Sequence, residues 1–175
     1  NNNIFYLNPL SIISGEDQDF LSWPTSLFKD EIRDENFYKL LLTGILQHIA
    51  LQATDEQYVH WHNHGIMVDL SLLKTLDTFT EFLYRNEIQR LASERITKQF
   101  VYSFSSEGVH KEHSPCYHYY VTAMLLDVLK LLSRSEVGIP HSLTGIASKT
   151  ADFITYILKP DGTLPNFGDC SEGET

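Results

Sequence analysis

Glu107-Gly108-Val109-His110-Lys111-Glu112-His113-Ser114-Pro115-Cys116-Tyr117-His118-Tyr119-Tyr120 is a turn that becomes a helix. Gly108 breaks what precedes it, and the proline fits the first helical turn, where its missing N–H costs nothing. The apolar pattern Val121, Leu125, Val128, Leu129 and Leu132 then carries the helix to Leu132. Three histidines and three tyrosines crowd this helix start. Imidazoles move protons near neutral pH, and phenols do so when their pKa is shifted. This concentration is the strongest functional signal in the chain.

Outward from this stretch the same 3.6-residue period recurs. Helices are expected at about 35–52, with a stripe of Phe37, Leu40, Leu41, Gly44, Ile45 and His48, and at 66–84, with Met67, Leu70, Leu73, Leu76 and Leu83. Two more are expected at 87–104, built on Ile88, Leu91, Ile96 and Phe100, and at 142–158, built on Leu143, Ile146, Ala147, Ala151, Ile154 and Ile157. Asp34, Asn63 and Asn86 read as N-caps. Pro160-Asp161-Gly162-Thr163 is a turn. Roughly five helices joined by short connectors, with no convincing strand, predict an all-α fold of antiparallel helical hairpins. Three regions follow: an irregular lead-in at 1–34, hairpins at 35–160 and an extended exit at 161–175. Both ends stop in unfinished segments, so the chain reads as a piece of a longer protein.

Composition narrows the function. The 175 residues are 42% hydrophobic and 21% charged, as expected for one globular domain. No apolar run reaches about 18 residues, so no membrane span is expected. The net charge of -10 argues against nucleic acid or an anionic membrane as partner. Arg85, Arg90, Arg95, Lys98 and Lys111 cluster in sequence and read mainly as a solvated helix face. The cysteines, Cys116 and Cys170, form no CxxC motif, and Cys116 reads as a buried thiol. His60, His62 and His64 alternate. In an extended segment they would share a face, and three imidazoles can bind zinc. No fourth ligand stands nearby, so no metal and no cofactor is assigned.

Two stretches in register, Asn63-His64-Gly65-Ile66-Met67-Val68-Asp69-Leu70 and Glu107 to His118, are followed by Lys159-Pro160-Asp161-Gly162-Thr163-Leu164-Pro165 and Gly168-Asp169. From about Glu35 to Asp169 this order resembles the helical domain of the heparinase II/III family of polysaccharide lyases, to which some alginate lyases are related. The resemblance implies an incomplete (α/α) toroid whose helix starts line a groove for an acidic, uronate-containing polysaccharide. It also implies a following β-sandwich region as partner, and a periplasmic or secreted location.

The implied reaction is β-elimination, a carbon–oxygen lyase activity. A proton leaves C5 of a uronic acid and the glycosidic oxygen leaves C4. Removing that proton builds charge on the neighbouring carboxylate, so hydrogen-bond donors there stabilise the transition state. The resemblance assigns this role to Asn63, with His64 as a second donor, and makes Tyr117 the acid/base. A phenol's usual pKa of ~10 must fall for it to act as a base, which nearby positive charge would achieve. His62, His113, His118 and Lys111 are the expected substrate-binding residues, while Tyr119 and Tyr120 read as core or groove wall. Two alternatives stand beside the lyase. One is a non-catalytic acidic-glycan-binding protein. The other is a toroid hydrolase, which needs two opposed carboxylates and has Asp69, Glu112 and Asp169 available.

Overall fold

The computed structural model describes residues 35–168, apart from 57, 80, 81 and 83. The lead-in at 1–34, the Asp34 cap and the acidic candidate Asp169 lie outside the described residues. Those residues form five helices and no strand: α1 (Glu35–Ala53), α2 (Asn63–Thr78), α3 (Arg85–Ser103), α4 (Pro115–Leu132) and α5 (His141–Ile157). The fold is all-α. No described helix is long and apolar enough to cross a membrane.

The chain divides into two compact units, with α1 in the first and α2 to α5 in the second. In α1 the buried positions are Leu42, Ile49 and Ala53. The expected stripe is off, for Leu40 is 70% exposed and Phe37 and His48 are exposed too. Leu40, Leu41, Leu42, Ile45, Leu46 and Ile49 cover more than one face of a 3.6-residue helix, so periodicity could not choose between faces.

Within the second unit, α2 stops at Thr78 rather than continuing to Tyr84. β-branched and aromatic residues of the Asp77-Thr78-Phe79-Thr80 run lose rotamer freedom in a helix and gain little there. The Arg85 Nε donates to the Leu76 carbonyl at 3.0 Å, which ties the start of α3 to the last turn of α2. Asn86 does not cap α3; it lies inside it, and the cap position is Tyr84, with no side-chain bond.

Direction alternates along the chain. Leu76 meets Arg85 and Asp69 meets Arg95, so α2 and α3 run antiparallel. α2 and α4 run parallel: the Tyr120 hydroxyl donates to Met67 Sδ at 3.7 Å, and Lys74 pairs with Asp127 at 2.7 Å. Both contacts join residues 53 apart, so the helices lie side by side in one register. Against α4, α5 runs antiparallel, its late residue Phe153 lying on His118 near the start of α4, with ring centroids 4.8 Å apart.

The core of this unit comes from Ile66, Leu72, Leu76, Ile96, Phe100, Val121, Leu125, Val128, Leu132 and Leu143, all fully buried. Each contributes about 1.5–3 kcal/mol of hydrophobic stabilisation. Met67, expected on an apolar face, is exposed, and so are Tyr119 and Tyr120, which leaves those two the groove-wall half of their reading and not the core half. Each of the three lies on the helix face away from this cluster, near the helix starts. Ala151 of α5 is exposed as well.

Asp69 and Arg95 form a buried ion pair, with Arg95 Nε donating to Asp69 Oδ1 at 2.9 Å and Nη2 donating to the same oxygen. Arg95 is therefore no part of a solvated face, and Asp69 is committed to a structural partner. Two charges out of water persist only when their geometry is good, and removing either one leaves the other without its counter-charge.

Candidate functional site

Two helix starts carry the chemistry. The first is prepared by Gln99, a buried residue near the end of α3. Its Oε1 accepts from the Trp61 N–H at 2.7 Å, and its Nε2 donates to the Val59 carbonyl at 2.9 Å. This clamp holds Trp61 at φ 60°, a left-handed conformation that a bulky residue rarely adopts. Gly65 completes it, because a Cβ there would overlap both the Gln99 amide and the Val59 carbonyl. The close approach demands glycine.

The chain turns into α2 under a histidine cap. His62 is the N-cap, with extended backbone, and its Nδ1 accepts from the His64 N–H at 3.2 Å. Asn63, expected as the cap, is instead the first residue of the helix. The capping work falls to His62, and the Asn63 amide is left out of it. Asn63 is half-buried, and His62 and His64 are exposed with rings 4.5 Å apart, edge to face. The turn at Trp61 also ends the extended geometry that a three-histidine zinc site requires. Among the described residues, no group of three or more His, Cys, Asp or Glu could hold a metal ion.

The second start is prepared by a small hairpin, bridged between Phe104 and His110. Gly108, at φ 80°, lies so close to α5 that a Cβ would come within 2.8 Å of three backbone and side-chain atoms of Lys149 and Thr150. Lys149 Nζ donates to the Ser106 carbonyl at 2.7 Å, fixing the hairpin to α5. Ser114 then caps α4 by accepting from the Tyr117 N–H at 3.4 Å, with Pro115 in the first turn. Tyr117 itself is half-buried, its ring edge-on to Tyr120 at 6.5 Å. Cys116, beside it, is disulfide-bonded rather than a buried thiol. The chain's other cysteine, Cys170, lies outside the described residues.

The parallel register of α2 and α4 sets these two starts at one end of the unit. Met67 and Tyr120, in contact, lie about one turn inside Asn63–His64 and Tyr117 respectively. Asn63, His64 and Tyr117 thus belong to neighbouring helix beginnings, and none of the three is sealed in the core.

His113 and His118 belong to a different flank. With His110, Phe153, Ile157 and Phe167 they line a cavity of about 190 Å³ between α4 and α5. His113 is exposed, at φ 55°. His118 is buried against Phe104 and Phe153, and its Nδ1 accepts from the His110 N–H at 3.2 Å. Burial pushes the His118 pKa down, with the Thr150 carbonyl partly opposing it. His110 is pushed down to about 4 by burial first, then by the imidazoles of His118 and His113. Neither is a cation at neutral pH.

Lys111 returns to the first helix start from the side. Its Nζ lies 4.7 Å above the Tyr102 ring, and Tyr102 packs on Trp61 with centroids 4.7 Å apart. Sequence reasoning missed Trp61, Tyr102 and Gln99. The one available signal was Gly65 just before the expected helix, since glycine serves where two backbones or a backbone and a side chain approach closely.

The chain matches the family model described as heparinase II/III N-terminus over residues 18–175. It belongs to that family, one of polysaccharide lyases, whose substrates are polysaccharides. Searches of curated proteins and of solved structures gave no match.

Proposed function

We propose that this member of the heparinase II/III family cleaves a uronate-containing polysaccharide by β-elimination. The observation that supports the reading is the shared register of α2 and α4, by which the helix start bearing Asn63 and His64 neighbours the one bearing Tyr117. Asn63 and His64 donate hydrogen bonds to the uronate carboxylate and take up the charge that develops there. Tyr117 exchanges the proton. The C5–H bond breaks and its proton passes to a base, its electron pair forms the C4–C5 double bond, and the C4–O bond breaks. The departing oxygen receives a proton from the acid. His62 and Lys111 bind substrate alongside, and His113 and His118 do so from the cavity flank. Parallel helices with antiparallel partners suit an (α/α) toroid, and the Cys116 disulfide suits a periplasmic or secreted location.

Incubating the intact protein with a panel of acidic polysaccharides tests the reaction. Elimination leaves an unsaturated, ultraviolet-absorbing sugar end. New reducing ends without that absorbance would mean hydrolysis, and binding without either product would mean a non-catalytic glycan-binding protein. The hydrolase reading is weakened by Asp69, one of its carboxylates, being buried against Arg95.

A further inference from the structure

Trp61 is held where an isolated chain would not put it. It is 53% exposed, in left-handed backbone, and kept there by a buried glutamine that makes two hydrogen bonds to its loop. Backbone strain of this kind persists only when the surroundings over-determine it, and it concentrates at ligand sites. The strain displays an indole against Tyr102, itself 48% exposed, and Lys111 extends the row with a cation over the tyrosine ring.

The chemistry of this row is specific. Aromatic faces are electron-rich and favour partners with positively polarised edges or cations. The C–H-bearing face of a pyranose ring is such a partner. In a chain of net charge -10, a polyanion is repelled by the protein as a whole and requires a local cation where it binds. Lys111 supplies one beside the aromatic surface. Trp61 is two residues from Asn63, so their Cα atoms are at most about 7.6 Å apart. That separation is on the order of one or two sugar units.

We propose that Trp61, Tyr102 and Lys111 form a binding subsite that stacks one pyranose ring of an anionic glycan and pairs its acidic group with Lys111. In naming a sugar as ligand, the proposal rests on the lyase reading above. Gln99 is the positioning residue for this subsite and touches no substrate.

Titration calorimetry on the intact protein tests it, with hexasaccharides of hyaluronan, which carries carboxylates only, of heparan sulfate, which also carries sulfates, and of neutral cellulose. Trp61→Gly removes the indole and relieves the positive φ, so it retains the fold; Tyr102→Ala acts at an exposed helix end. Each is expected to weaken binding of an anionic hexasaccharide about tenfold. Lys111→Gln is expected to remove the preference for anionic over neutral hexasaccharide, and the preferred anion shows whether carboxylate or sulfate is read. Unchanged affinity in both aromatic variants overturns the subsite. The same samples are assayed for unsaturated product. Affinity lost in the variants with no product from any polysaccharide upholds the subsite and sinks the lyase reading. Product formed with binding and KM unaltered in the variants does the reverse. If no hexasaccharide binds and none is cleaved, both fall.

Discussion

Replacing Gln99 by alanine isolates what the buried clamp does. Two hydrogen bonds are lost, from the Trp61 N–H at 2.7 Å and to the Val59 carbonyl at 2.9 Å. Each contributes about 0.5–1.5 kcal/mol net. Deleting the buried side chain adds a packing loss of about 1 kcal/mol. Against this, Trp61 is freed from a backbone conformation that costs about 1–3 kcal/mol, so part of the loss returns as the loop relaxes. The net destabilisation is about 1–2 kcal/mol, which leaves the protein folded. Denaturant unfolding reads that change, and kinetics under fully folded conditions read the second consequence. The relaxed loop carries Trp61, His62 and Asn63 away from their positions, so kcat/KM is expected to fall by roughly 10²-fold, as for displacements of about 1 Å. Gln99→Glu keeps the acceptor for Trp61 but sets a carboxylate against the Val59 carbonyl, and it should not rescue activity. A Gln99→Ala protein that is folded, destabilised and fully active would refute the claim that the clamp positions the site. Unchanged stability would refute the energetic account.

Three further outcomes are expected. Tyr117→Phe should lower elimination by roughly 10²–10⁴-fold while the unfolding midpoint barely moves, whereas exposed Tyr119→Ala should change neither; turnover retained in Tyr117→Phe would remove the proposed acid/base. Arg95→Met should cost about 3–5 kcal/mol by taking the paired cation away from the buried Asp69 carboxylate, read as a fall in thermal or denaturant midpoint. Acid should destabilise the fold through His110: its pKa is about 4 when folded against an ordinary 6.5, so between those values the unfolded chain binds more protons. The stability this group contributes is complete above about pH 6.5 and declines as pH falls toward 4, by about 2 kcal/mol between pH 7 and pH 5. Unfolding curves of His110→Gln at the two pH values should show a smaller difference than those of the unaltered protein.

How much of this could be read in the residues depends on how far apart the interacting groups lie. Four helices of the second unit were legible, and so was most of their buried face, since Leu70, Leu73, Leu76, Ile96, Phe100, Val121, Leu125 and Val128 recur at helical spacing. Pro115 marked the first turn of α4 for the same local reason, that its ring suits a position needing no N–H. Where two faces were comparably apolar, as in α1, the pattern underdetermined the answer. At the caps the competition was close as well. His62, Asn63 and His64 all offer a side-chain acceptor, and the strained turn at Trp61 decided in favour of His62.

The sequence alone therefore determined the helices and the two motif-bearing starts, because hydrophobic period and turn chemistry act over a few residues. Tertiary structure decided which starts are neighbours, which charges are spent on each other and which aromatic rings stay in water. A register of 53 residues between α2 and α4, a glutamine 38 residues from the turn it holds, and an arginine 26 residues from its carboxylate are contacts between distant segments. Such contacts exist only once the chain has collapsed, when burial makes an unpartnered polar group expensive and so selects its partner.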